Sequence, residues 1–144
     1  MKSFEALRRV YAETFTTFAF DLPPDTNISS LVNERIPDVC GIYFVFDVLG
    51  CLGLPVYSGR AGTYKESGWS KQKLPGRLKA LQGRIPRNQF FRSRINDLAL
   101  SGISFQCFVT VDDNNDILPH AAEASAMHAF HDDFNRLPQL NNDY

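Results

Sequence analysis

The sequence predicts an α/β fold: a short, mainly antiparallel three-stranded sheet flanked by helices, with an extra N-terminal helix. Three observations carry this. Two runs of β-branched and aromatic residues, at 42–46 and 54–58, are joined by a short link containing Gly50 and Gly53, as in a hairpin. A third run, Ile103 to Val111, alternates apolar and polar side chains. Between and around them lie apolar residues at helical spacing. A chain of 144 residues makes one compact unit at about 100–200 residues per domain.

Taken in order, Phe4, Leu7, Val10, Tyr11, Phe15 and Phe18 predict a helix over 3–20. Asp21-Leu22-Pro23-Pro24 ends it, because tandem prolines remove donors and disfavour the α region before them. A short helical or irregular piece is expected at Ser30–Arg35. Pro37-Asp38 then divides an N-terminal helical extension, 1–37, from the main domain, 38–144. Ile42 to Phe46 reads as a buried strand and Leu54 to Ser58 as its partner, with Pro55 near the strand start where a missing amide is tolerated. Gly59 to Lys73 reads as a loop. Leu74 to Leu81 reads as a helix with Pro75 in its first turn, closed by Gly83 and Pro86. Asn88 to Leu100 reads as another, apolar at Phe91, Ile95 and Leu98 and stopped at Ser101-Gly102. After the 103–111 strand and the Asp112–Asp116 turn, Pro119 opens a final helix to about Asn135.

The formal charge of -1 hides an asymmetry. Residues 60–94 hold ten basic side chains against one acid, Glu66, while the remaining 109 residues hold five basic and fifteen acidic ones. Such a block suits a polyanionic partner, since each neutralised phosphate releases counterions; a solvated helical face is the plainer reading. No apolar run approaches the ~20 residues of a membrane span, and the N-terminus lacks a signal-peptide stretch. Cys40, Cys51 and Cys107 show no CxxC spacing and read as reduced core thiols, so a cytoplasmic or nucleoid-associated protein is expected. His120, His128 and His131 form no HExxH pattern and read as surface residues, His120 lying nearest a cleft. Trp69 and Tyr64 either pack the basic loop or stack on an unpaired base.

Four motif positions then stand in one order: Gly41-Ile42-Tyr43, Tyr57-Ser58-Gly59 followed by Arg60-Ala61, Leu74-Pro75-Gly76-Arg77-Leu78, and Glu123 with Phe134-Asn135 twelve residues on. Over about 38–141 the chain resembles the GIY-YIG nuclease family. Ser58 replaces the usual Ile of the second motif. The spacing from Tyr57 to Arg77 implies an insertion at about 62–73, and Leu81 stands where Tyr or His is common.

The resemblance implies an endonuclease that hydrolyses DNA phosphodiesters by a single-metal mechanism, RNA not being excluded. It implies Glu123 as ligand of one Mg2+ (or Mn2+), a cation that needs only one or two carboxylates. Arg77 would clamp a non-bridging oxygen. Tyr43 would be the candidate general base toward water, with Tyr57 orienting the water or the phosphate, and which of the two takes the proton is left open. A phenol of ordinary pKa ~10 needs nearby cations for that task. Arg60, Lys71, Lys73, Lys79, Arg84 and Arg87 are the expected backbone contacts. Specificity is expected from the insertion, the N-terminal helix, a second subunit (a homodimer) or a partner protein. The alternative is a non-catalytic nucleic-acid-binding or interaction module on the same scaffold, favoured if Glu123 points into the core.

Overall fold

The computed structural model describes residues 3–22, 32, 36–47, 54–62, 64, 65, 68, 69, 73–79, 81, 82, 85, 86, 93 and 103–141. In chain order its elements are α1 (Ser3–Thr14), β1 (Thr16–Leu22), β2 (Cys40–Asp47), β3 (Pro55–Ala61), β4 (Tyr64–Lys65), β5 (Gly68–Trp69), α2 (Leu74–Lys79), β6 (Leu81–Gln82), β7 (Ile85–Pro86), β8 (Ile103–Val111) and α3 (Pro119–Phe134). Four strands form one antiparallel sheet in the order β1-β8-β2-β3, and β4-β5 and β6-β7 form separate small ladders.

Alternation along the central strands divides the side chains between two cores. Ile42, Phe44 and Phe108 face α1 and α3, where they meet Phe4, Met127 and Phe130. Tyr43, Val45, Phe105 and Cys107 face the other way, toward Leu74 and Leu78 of α2 and toward Val32 and Ile36. Both faces are therefore buried, which is why β2 reads as an unbroken apolar run. A Cβ at Gly41 would collide with the carbonyl oxygen of Phe108. Glycine is thus required where β2 crosses β8, at the register shift between Cys40 and Gly41.

The sheet has four strands, not the expected three. The predicted 3–20 helix ends at Thr14, and Thr16–Leu22 pairs with β8 from Thr16↔Val109 to Leu22↔Ile103. Phe20 and Leu22 are buried on alternate positions, and Phe20 stacks on Phe105 with centroids 4.8 Å apart. That period-two contact set outweighs the helical reading of Phe15 and Phe18. The 59–73 loop also needs correction. Its start belongs to β3, which extends to Ala61, and within it β4 and β5 pair as Tyr64↔Trp69. The helix from Leu74 ends at Lys79, and Leu81 pairs with Pro86 instead of continuing it. The 88–100 helix lies outside the described residues apart from Ser93, which is helical, and so does the Ser30–Arg35 piece apart from Val32.

The N-terminal helix is tied to the last one by a cap in trans. Asp133 of α3 accepts hydrogen bonds from the backbone N–H of Ser3 (2.9 Å) and Phe4 (2.8 Å). These are two of the orphan donors at the positive end of α1. The Tyr11 hydroxyl donates to the Ala122 carbonyl at 2.8 Å in the same seam. Asp133→Ala is expected to lower stability by about 1–2 kcal/mol, the cost of a lost cap. Urea denaturation should show that fall in midpoint, and a wild-type midpoint would contradict the capping role.

Burial pushes the Cys107 thiol from 9.0 up to about 12. A raised folded-state value means that its contribution to stability is complete below the free-thiol value and is lost as pH rises toward 12. At pH 8 the native thiol is expected to resist a soluble alkylating reagent and to react once urea unfolds the chain. Peptide mapping of the alkylated protein checks this; labelling of native Cys107 at the free-thiol rate would contradict it.

Candidate functional site

Cross-strand register assembles the first half of the site. Tyr43 lies opposite Gly59 and Val45 opposite Tyr57 in the β2–β3 hairpin. A Cβ at Gly59 would stand 2.5 Å from the Tyr43 Cζ and hydroxyl oxygen, so only glycine lets the phenol lie across the neighbouring strand. The Tyr43 and Tyr57 rings then sit with centroids 6.1 Å apart, at 0% and 6% exposure. Helix α2 packs over this face through Leu74 and Leu78, and its start is fixed by Leu74 N–H donating to the Val39 carbonyl at 2.8 Å. Arg77 stands one position before Leu78, half-buried, on the flank of that apolar stripe. Its Nε is enclosed and finds no hydrogen-bond partner among the described residues.

The second half lies on the opposite face. Ser58 and Arg60 alternate with Tyr57 and Gly59 along β3, so their side chains project toward α3. There Ser58 Oγ donates to Glu123 Oε1 and Arg60 Nη1 donates to Glu123 Oε2, both at 2.8 Å. The Glu123 side chain is 3% exposed and that of Arg60 is 41%. The sheet therefore separates Glu123 from the two phenols. Tyr43, Tyr57 and the helix bearing Arg77 come together; Glu123 joins Arg60 instead.

Two contributors were not legible as such. Asn141 holds the outer edge of β3 with its amide: Ser58 N–H donates to Oδ1 at 2.9 Å, and Nδ2 donates to the Ser58 carbonyl at 3.0 Å. Leu140 N–H extends the pairing to the Val56 carbonyl at 2.8 Å. An asparagine amide presents the same donor–acceptor pair as a peptide group, which is the only hint the sequence carried. Asn135, the expected companion of Glu123, ends α3 instead, with φ 53° and its N–H bonded to the His131 carbonyl. Ser58 is the other contributor, buried at 1% exposure and bonded to the carboxylate.

Of the expected backbone contacts, Arg60 and Lys73 are described, Lys73 Nζ lying 3.3 Å from Cys40 Sγ. Lys79 is the last residue of α2, and Lys71, Arg84 and Arg87 lie outside the described residues. His128 and Asp132 lie 3.5 Å apart on the exposed side of α3, at 80% and 55% exposure. His120 borders a cavity beside Arg60.

A divalent ion does not fit at Glu123 in this arrangement. The carboxylate is enclosed, and each oxygen already accepts a hydrogen bond, one of them from a cation that an incoming metal would have to displace. Among the described residues no three His, Cys, Asp or Glu side chains converge as metal ligands.

No protein-family model, curated protein or solved structure matches this chain. Among the described residues, no helix is long and apolar enough to cross a membrane.

Proposed function

We propose that the chain is an endonuclease of the GIY-YIG type, hydrolysing phosphodiester bonds in DNA. One observation carries the reading: Tyr43 and Tyr57 lie side by side on the hairpin face that α2 covers, and α2 bears Arg77, whose enclosed Nε has no hydrogen-bond partner among the described residues. A guanidinium nitrogen withheld from water costs free energy unless something completes it. A phosphate oxygen is the acceptor that best matches the fork. On this reading Arg77 holds a non-bridging oxygen, and the phenols orient the water or the phosphate. Both rings are closed off at rest, so the α2 cover parts to admit substrate. The basic side chains of residues 60–94 track the backbone.

The divalent cation, Mg2+ or Mn2+, rests on the resemblance alone, and no step is assigned to it. The second reading, a binding module without turnover, is favoured by the burial of Glu123, held by Arg60 on the far face.

Cleavage of a panel of plasmid, linear duplex, flap, junction, single strand and RNA separates the two. The panel is run with Mg2+, Mn2+ or EDTA, with Tyr43→Phe beside the wild type. The expected result is cutting of a DNA substrate that falls at least ~10²-fold in Tyr43→Phe, of the order seen when one transition-state contact is deleted. Binding with a steep salt slope and no cutting would establish the second reading instead.

A further inference from the structure

The end of β3, the β4–β5 hairpin and the start of α3 enclose a half-open cavity of about 270 Å3. Among the described residues it is lined by Arg60, Gly62, Tyr64, Leu118 and His120. One side is cationic. Arg60 is oriented by its 2.8 Å bond to Glu123, yet its side chain stays 41% exposed. Helix α3 begins here with Leu118 and Pro119, no side-chain cap and no acid in its first turn, so its partial positive charge faces the same space. His120 stands in that turn, exposed. The other side is apolar. Among the described residues the exposed large hydrophobics are Val10, Tyr64, Ile117 and Leu118; Tyr64 (63%) and Leu118 (47%) border the cavity, and Ile117 adjoins it in the chain.

Cation on one wall and exposed aromatic surface on the other match a ligand with an anion at one end and a flat ring at the other. We propose that this cavity binds a single nucleotide, its phosphate on Arg60 and His120 and its base against Tyr64 and Leu118. The volume falls just below the ~300–1,000 Å3 of drug-sized pockets and suits one nucleotide unit. Arg60 projects from the face of β3 opposite Tyr57, so this subsite is separate from the Tyr43–Tyr57–Arg77 face. It rests on the proposed action on nucleic acid only for its expected source, an unpaired nucleotide within a strand and not a free one.

The test is titration calorimetry on the full chain with thymidine monophosphate, thymidine, inorganic phosphate and hexadeoxythymidylate. Wild type is compared with Tyr64→Ala and His120→Ala, whose side chains are exposed, and thermal melts confirm folding. Thymidine monophosphate is expected to bind at least tenfold more tightly than thymidine or phosphate alone. Tyr64→Ala should weaken it by roughly 5- to 150-fold, the range measured for one stacked base, and His120→Ala by about tenfold. Tighter binding of the hexanucleotide, lost in the same variants, assigns the site to a strand; equal affinity assigns it to free nucleotides. The proposal is overturned if thymidine monophosphate does not bind, if phosphate binds equally well, or if both folded variants bind as wild type. Failure of the nuclease reading shows separately, as absence of cutting in the cleavage panel.

Discussion

Arg60→Met lowers stability by about 2–4 kcal/mol, read as a fall in urea midpoint at unchanged slope. Methionine keeps most of the apolar stem but deletes the cation, leaving the buried Glu123 carboxylate with Ser58 as its remaining donor among the described residues. Breaking a fully buried pair typically costs about 3–5 kcal/mol; the exposed flank of Arg60 lets water relieve part of it. Glu123→Gln in the same background removes the stranded charge, so the double variant should recover about 1–3 kcal/mol of the loss. A double variant no more stable than Arg60→Met would show that the ion pair does not hold α3 to β3.

Gly41→Ala is the second large effect, expected at about 3–5 kcal/mol. Ordinary overpacking costs about 1–3 kcal/mol because side chains shift to make room. Here the methyl meets a backbone carbonyl, that of Phe108, inside the β2–β8 ladder, with Leu74 of α2 at 3.1 Å on the other side. Neither strand can retreat without losing cross-strand pairs that run from Cys40 to Asp47. Urea unfolding followed by circular dichroism checks this, and a loss below about 1 kcal/mol would mean that the strands separate more easily than their register implies.

The elements legible in the sequence were those whose signal had a single reading. Ile42–Phe46 and Ile103–Val111 are β-branched and aromatic runs bounded by Gly or Asp, and Pro119 precedes an alanine-rich stretch at the one helical position where a missing N–H costs nothing. Thr16–Leu22 was lost because Phe15 and Phe18 satisfy the helical period, while the burial of Phe20 and Leu22 comes from β8, more than eighty residues away. Leu81 was misplaced because nothing in Leu74–Leu81 forbids a second helical turn; the pairing of Leu81 with Pro86 ends it. At the site, the tyrosine pair was legible because a hairpin with Gly opposite Tyr puts both rings on one face. The place of Glu123 was not. Period two already sends Ser58 and Arg60 away from Tyr57, but which residue of α3 they meet depends on how that helix is rotated against the sheet. That rotation is set by the packing of Ala122, Ala126 and Phe130 beneath α1 and β2.

The proposed function stands most directly on Arg77, whose removal should spare the fold and abolish the chemistry. The decisive measurement is single-turnover cleavage of the best panel substrate by wild type and Arg77→Ala, each shown by thermal melting to be folded. The expected result is a loss of at least ~10²-fold in rate with a melting temperature equal to or above that of the wild type, since Arg77→Ala removes a buried donor that has no partner among the described residues. Cleavage by folded Arg77→Ala at the wild-type rate would contradict the assignment of this face as the place where the phosphodiester is cut.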